Sequence, residues 1–151
     1  MIVAGSGSTT PAQAFSFLNA EDQARLVAAA TPVSLEKGEV LFHAGDAAEG
    51  VFFLEIGRLA VLKETGFNEK TQVVALLEPG ASVGEGGALG GLLRTATVLA
   101  IEESLLYRLQ HRDLSALGEQ DPQILIRIFK RLLYVSSLRL QKSSERLAHI
   151  L

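Results

Sequence analysis

The sequence predicts a mainly β fold with flanking helices (α+β): a double-stranded β-helix, or jelly-roll barrel, between an N-terminal helix and a long C-terminal one. Two rhythms predict it. Between residues 33 and 109, apolar runs of four to eight residues alternate with glycine-bearing turns at Gly38, Gly45, Gly50, Gly57, Gly66 and Gly80. Short strands at such intervals read as a barrel or jelly roll. After His111 the pattern is helical, and residues 123–151 hold no glycine or proline. The whole chain, 151 residues with 48% apolar and 21% charged, suits one compact domain and excludes intrinsic disorder.

Residues 1–14 (MIVAGSGSTTPAQA) read as a flexible Gly/Ser/Thr lead-in, and residues 15–151 as the domain. The lead-in lacks the basic start and apolar run of a signal peptide. Phe17, Leu18, Leu26 and Val27 then mark a short amphipathic helix. Asn19 is placed to cap it at Ala20 or Glu21, and Thr31-Pro32 ends it, because proline disfavours helix in the residue before it. The β-roll spans about residues 33–109, with strands expected at Val40–His43, Val51–Ile56, Leu59–Glu64, Thr71–Leu77, Thr95–Ala100 and Ser104–Leu109. Both faces of several runs are apolar, so helices are expected to cover part of the outside. A piece from His111 is expected to stop at Gly118 as a C-cap. Asp121-Pro122 then supplies an N-cap and a first helical residue. The helix of about residues 122–150 would be roughly 43 Å long at 1.5 Å per residue. Its first half is apolar over a wide arc, and Leu140, Leu147 and Leu151 continue as a stripe. A helix overhanging its domain leaves such a stripe in water unless a second helix covers it, so a homodimer is expected.

Charge and chemistry narrow the function. The net charge is −3, but residues 121–151 carry six Lys/Arg against two Asp/Glu. The net negative charge argues against general nucleic-acid binding by the whole surface. The basic helix end (Arg139, Lys142, Arg146) is expected to be a solvated face rather than a DNA contact, and no DNA binding by this chain is expected. There is no cysteine, which fits a reducing, cytoplasmic setting and removes thiolate chemistry. No apolar stretch is long enough for a membrane span. The three histidines (His43, His111, His149) fall in three separate elements, so no metal site is expected. No GxSxG elbow is present, and the chain is not expected to be an enzyme.

The informative segment is Gly84-Glu85-Gly86-Gly87-Ala88-Leu89-Gly90-Gly91-Leu92-Leu93-Arg94-Thr95-Ala96, with five glycines between residues 84 and 91. A dinucleotide fingerprint fails at Leu89, and a P-loop fails for want of lysine. An anion site remains open. Glycines let backbone N–H groups approach a phosphate, a short helical turn would aim them at it, and Arg94 would add a guanidinium. Glu85 fits a sugar hydroxyl rather than the phosphate. On the residues alone, a plain glycine-rich loop with a surface Glu–Arg pair stays open, since glycine runs are often just loops.

The segment resembles the phosphate-binding cassette of the cyclic nucleotide-binding domain family, in which Gly-Glu, a short helical turn and Arg-Ser/Thr/Ala-Ala occur in this order. Here eight residues separate Glu85 from Arg94-Thr95-Ala96. Lys37-Gly38-Glu39, Gly45-Asp46, Val51-Phe52-Phe53-Leu54 before Gly57, and Pro79-Gly80 are similar to the family's strands and turns. Asp121-Pro122-Gln123-Ile124-Leu125 resembles the opening of the long helix that closes the site in bacterial members. The resemblance implies that Glu85 binds the ribose 2′-hydroxyl and Arg94 the cyclic phosphate. Gly84, the amides around Gly86, Gly87 and Ala88, and Thr95 would complete the cradle. It places Val61 and Val74 on the base side, and Arg139 and Leu140 near the positions that cover the purine. No cofactor is implied beyond the ligand, cyclic AMP or cyclic GMP. The bacterial texture favours cyclic AMP, while Thr95 also suits a syn guanine.

Two departures stand out: Gly86-Gly87, where the family carries apolar side chains, and Leu92-Leu93 before the arginine. The first predicts a floppy Gly86-Gly87 and Gly90-Gly91 stretch, and the two together predict either reduced affinity or a cassette whose ordering depends on ligand. The expected mechanism is a sensor in which nucleotide orders the cassette and the long helix moves to cap the base, relaying the change to a further protein. The second reading is a degenerate fold that serves only as a dimerisation or interaction module.

Overall fold

The computed structural model describes residues 13–64, 66 and 70–150. Eight strands form two four-stranded antiparallel sheets, and three helices flank them. The elements are α1 (Ala20–Ala29), β1 (Thr31–Leu35), β2 (Val40–Phe42), β3 (Val51–Ile56), β4 (Leu59–Glu64), β5 (Thr71–Leu77), β6 (Ser82–Val83), β7 (Thr97–Ala100), β8 (Ser104–Leu109), α2 (His111–Gln120) and α3 (Pro122–Ile150). A 3-10 turn, Glu85–Ala88, lies between β6 and β7. One sheet runs β1-β8-β3-β6 and the other β2-β7-β4-β5, which is the expected jelly roll.

The apolar runs become strands for the expected reason. On β3, Val51, Phe52, Phe53 and Leu54 are all buried. Phe52 and Leu54 join Leu59, Val98 and Leu106 inside the roll. Val51 and Phe53 point the other way, into a second core with Phe15, Leu26, Leu114, Ile124 and Ile128 from the helical side. A sheet covered on both faces loses the alternation of a half-exposed one. Ala14, left in the lead-in by the sequence reading, belongs to that second core, and its N–H donates to Glu55 Oε2 at 2.9 Å. Residues 1–12 of the lead-in and Leu151 of the expected stripe lie outside the described residues.

Several boundaries differ from expectation. Pro32 does end α1, yet it also sits in β1, pairing with Tyr107. β1 is an edge strand, where a residue without an N–H is tolerated. β2 stops at Phe42 because the His43 N–H donates to Asp46 Oδ2 at 2.9 Å, opening a turn. β7 begins at Thr97 rather than Thr95, since the Arg94 N–H bonds Asp46 O and its carbonyl accepts from Gly45 N. Gly118 is not a C-cap. α2 continues to Gln120, and a Cβ at Gly118 would lie 2.6 Å from Leu125 Cδ2, so this glycine is what lets α2 and α3 approach.

The N-terminal turns of α1 and α3 are tied together. Asn19 Oδ1 caps α1 by accepting from Asp22 N at 2.9 Å, and Asp121 Oδ1 caps α3 by accepting from Gln123 N at 3.0 Å. Arg25 donates to Asp121 at 2.8 Å, and Arg127 donates to the buried Asp22 at 2.8 Å. Of α3, only Ile124, Ile128 and Leu132 are buried. That face anchors the first three turns. The apolar residues on its other sides stay in solvent, including Ile126, Leu133, Leu140 and Leu147, spaced seven apart.

Candidate functional site

The glycine-rich segment folds as a tight cassette between β6 and β7. Gly84 has φ +72, the left-handed region that glycine enters without steric cost. It turns the chain into the 3-10 turn, where Gly87 N–H bonds Gly84 O at 2.9 Å and Leu89 N–H bonds Gly86 O at 3.1 Å. Gly87 has a second reason to be glycine: a Cβ there would sit 1.9 Å from Gly50 O. The turn therefore rests directly on the backbone at the start of β3. Ala88 is buried, and its carbonyl bonds His111 Nδ1 at 3.0 Å, joining the cassette to the head of α2.

Arg94 lies beneath this turn and is only 7% exposed. Its Nη1 donates to Gly84 O at 3.0 Å and its Nη2 to Gly50 O at 2.7 Å. The guanidinium lies 4.1 Å from the centroid of the Phe42 ring and 5.6 Å from that of Phe52. Among the described residues no carboxylate is in ion-pair contact with it, and its buried Nε has no hydrogen-bond partner. Burial pushes this guanidinium below its ordinary pKa, and the charges of Asp46, Glu49 and Glu85 oppose the shift.

Glu85 heads the 3-10 turn. Its Oε1 accepts from Ser82 Oγ at 2.9 Å and from Arg139 Nη1 of α3. Arg139 Nη2 donates to Ser82 O at 2.6 Å. The fold thus brings together Gly84, Glu85, Gly86, Gly87, Ala88 and Arg94, and adds Arg139 from across the sequence.

The remaining candidates are arranged differently. Thr95 is exposed and lines a cavity of about 450 Å³ with Leu62, Lys63, Glu64, Thr71 and Thr97. None of Glu85, Arg94, Val61 and Val74 lines that cavity. Val61 pairs with Ala75 and Val98 and packs against the roll's core. Val74 is the bulged residue of β5, skipped as the register passes from Val61–Ala75 to Leu62–Val73. Leu140 is 69% exposed and away from the cassette, because it lies about 100° around the helix from Arg139. Sequence reasoning missed Ser82, three residues ahead of Glu85, and Phe42, Gly50 and His111, which lie farther along the chain in other elements. Among the described residues no three His, Asp or Glu side chains could hold a metal ion, and no helix is long and apolar enough to cross a membrane.

Residues 32–121 match the family described as the cyclic nucleotide-binding domain. The chain belongs to that family. Its fold is the one the family predicts, which supports a regulatory, nucleotide-sensing role. The chain is similar to the lysophospholipase nte1 of Neurospora crassa, 33% identical over 101 residues. That match takes in 65% of this chain but 6% of the lysophospholipase, so the chain spans only a small part of that relative's length. A crystal structure of the N-terminal domain of a transcriptional regulator from Streptomyces coelicolor A3(2) superposes with TM-score 0.70 and 27% identity, over 88% of this chain and 90% of that one. A cyclic nucleotide-binding domain from Methylobacillus flagellatus shares the fold at TM-score 0.79 and 22% identity, over 85% of this chain and 72% of that one.

Proposed function

We propose that this domain is a regulatory sensor of a 3′,5′-cyclic nucleotide, with Arg94 receiving the cyclic phosphate and Glu85 the ribose. The observation that carries the reading is the state of Arg94. A buried guanidinium held by carbonyls and an aromatic ring, without a carboxylate in contact, is a full positive charge lacking its anion. Buried charges are ordinarily paired, and an unpaired one is costly. A phosphate arriving over the Gly84–Ala88 turn supplies the missing negative charge, and Arg94 Nε offers a free donor. The close packing of Gly87 on Gly50 supports a cassette that is held in shape before ligand arrives.

Cyclic AMP is the favoured ligand and cyclic GMP the alternative, with the exposed Thr95 hydroxyl as the group that would meet a syn guanine. The sensor unit is residues 15–151, and catalysis is no part of its role. The exposed row Ile126, Leu133, Leu140 and Leu147 supports a homodimer through α3, because an apolar repeat every seven residues is the seam of a helix pair. A cytoplasmic setting and an effector protein downstream complete the reading. Calorimetry of the folded wild type with each nucleotide tests it. Saturable binding below millimolar concentration is expected. No heat at millimolar nucleotide would leave the second reading, a dimerisation or interaction module alone.

A further inference from the structure

Four polar side chains are buried among the described residues: Asp22, Ser82, Arg94 and Ser104. Asp22 pairs with Arg25 and Arg127, and the Ser104 hydroxyl closes a turn on Glu102 O. The other two flank the cassette. Ser82 is only 2% exposed and sits on β6, paired with Phe53 and followed by the buried Val83. A buried hydroxyl without a partner is costly, and this one donates to Glu85 Oε1 at 2.9 Å. The left-handed Gly84 lies between them and turns the chain so that Glu85 comes back over Ser82. Arg139 donates to the same oxygen. Among the described residues no donor falls on Oε2.

We infer that Ser82 is a positioning residue for the ribose: its hydroxyl holds Glu85 Oε1 and leaves Oε2 for the 2′-hydroxyl. The inference rests on the reading of Glu85 as the ribose acceptor. Glutamate is a long, freely rotating side chain, and fixing it costs rotamer freedom that a ligand must otherwise offset on binding. A donor already in place meets that cost in the fold. Arg139 is not an equivalent anchor. Its guanidinium is carried by α3, the helix expected from the sequence to move, and its side chain is 38% exposed. Ser82 stays with the sheet, where β6 pairs with β3 through Phe52 and Phe53. Ser82 acts through Glu85 alone, so its effect is confined to ligands that carry a 2′-hydroxyl.

Calorimetry compares cyclic AMP and cyclic GMP with their 2′-deoxy analogues, in wild type, Ser82→Ala and Ser82→Cys. Wild type should prefer the ribo form of the nucleotide it binds by roughly tenfold to a hundredfold. Ser82→Ala should narrow that preference by roughly threefold to thirtyfold, weakening the ribo form and leaving the 2′-deoxy affinity within about twofold. Ser82→Cys, close in size but a weaker donor, should fall between the two, and it carries the comparison if Ser82→Ala does not fold. Each preference is a ratio within one protein, and thermal unfolding confirms that each protein is folded. An unchanged preference overturns the inference, and equal losses for both forms would make Ser82 a general support of the cassette. If wild type binds both forms equally, the assignment of the ribose to Glu85 fails and the inference with it, while the phosphate reading of Arg94 stands. If no form binds, the cyclic-nucleotide reading itself fails, and the inference falls with it.

Discussion

Gly87→Ala is the most local test of how the cassette is built. The added methyl would lie 1.9 Å from Gly50 O, 2.4 Å from Gly50 C and 2.7 Å from Gly50 N. All three are backbone atoms at the head of β3, a strand held on both sides by β6 and β8, so no flexible side chain can swing aside. Reaching ordinary contact requires the turn to lift by more than about 1 Å, and overpacking of this kind costs about 1–3 kcal/mol. Replacing glycine returns about 0.4–1 kcal/mol by restricting the unfolded chain. The net expectation is a loss of about 1–2 kcal/mol, or a Tm lower by roughly 2–8 °C for a domain of this size. Gly86→Ala is the internal control: its methyl meets only Leu92 Cδ1, at 3.4 Å, so its stability should stay within about 0.5 kcal/mol of wild type. Thermal and urea unfolding of both variants decide the matter. If Gly87→Ala is as stable as Gly86→Ala, the turn does not rest on Gly50, and the account of a preformed cassette is wrong.

Phe42→Leu keeps an apolar side chain under Arg94 but removes the ring face 4.1 Å from the guanidinium; a loss of about 1 kcal/mol in unfolding free energy is expected, and an unchanged urea midpoint would contradict it. Acid stability should depend on Asp121. The Arg25 hydrogen bond holds its carboxyl below the ordinary 3.8, partly offset by burial and aided by the Gln123 N–H. A folded pKa lower than the unfolded one stabilises above the unfolded value, and that contribution is lost as pH falls through the folded one. Asp121→Asn retains a good cap, so its urea midpoint should fall less than the wild type's between about pH 5 and pH 2.5. Parallel curves would show that the Arg25 pair contributes nothing.

The legible parts of this protein were those set by local pattern. The runs that became β3, β4, β5 and β8 carry their own apolar rhythm and flanking turns, and their ends fall where the sequence places them. β1 was hidden because Pro32 reads as a stop signal, and its place in a strand depends on an edge position that only the assembled sheet defines. The same division runs through the site. Glu85 and Arg94 are legible as residue types at a spacing. What Arg94 touches is not, because Gly50 is 44 residues away and Phe42 belongs to the other sheet. Gly87 and Gly118 show the limit most clearly. Each reads as a flexible or terminating glycine, and each is in fact a contact surface for a distant part of the chain. The expectation of a floppy Gly86-Gly87 pair therefore gives way, at Gly87, to one of close packing.

The central claim is that the unpaired charge of Arg94 awaits a cyclic phosphate. Calorimetry of wild type and Arg94→Ala with cyclic AMP and cyclic GMP tests it most directly, with thermal unfolding confirming that both proteins are folded. Loss of a charge-assisted hydrogen bond of about 1.5–3 kcal/mol predicts affinity weaker by roughly tenfold to a hundredfold or more in Arg94→Ala. Equal affinities in the two proteins would place the ligand elsewhere and contradict the account.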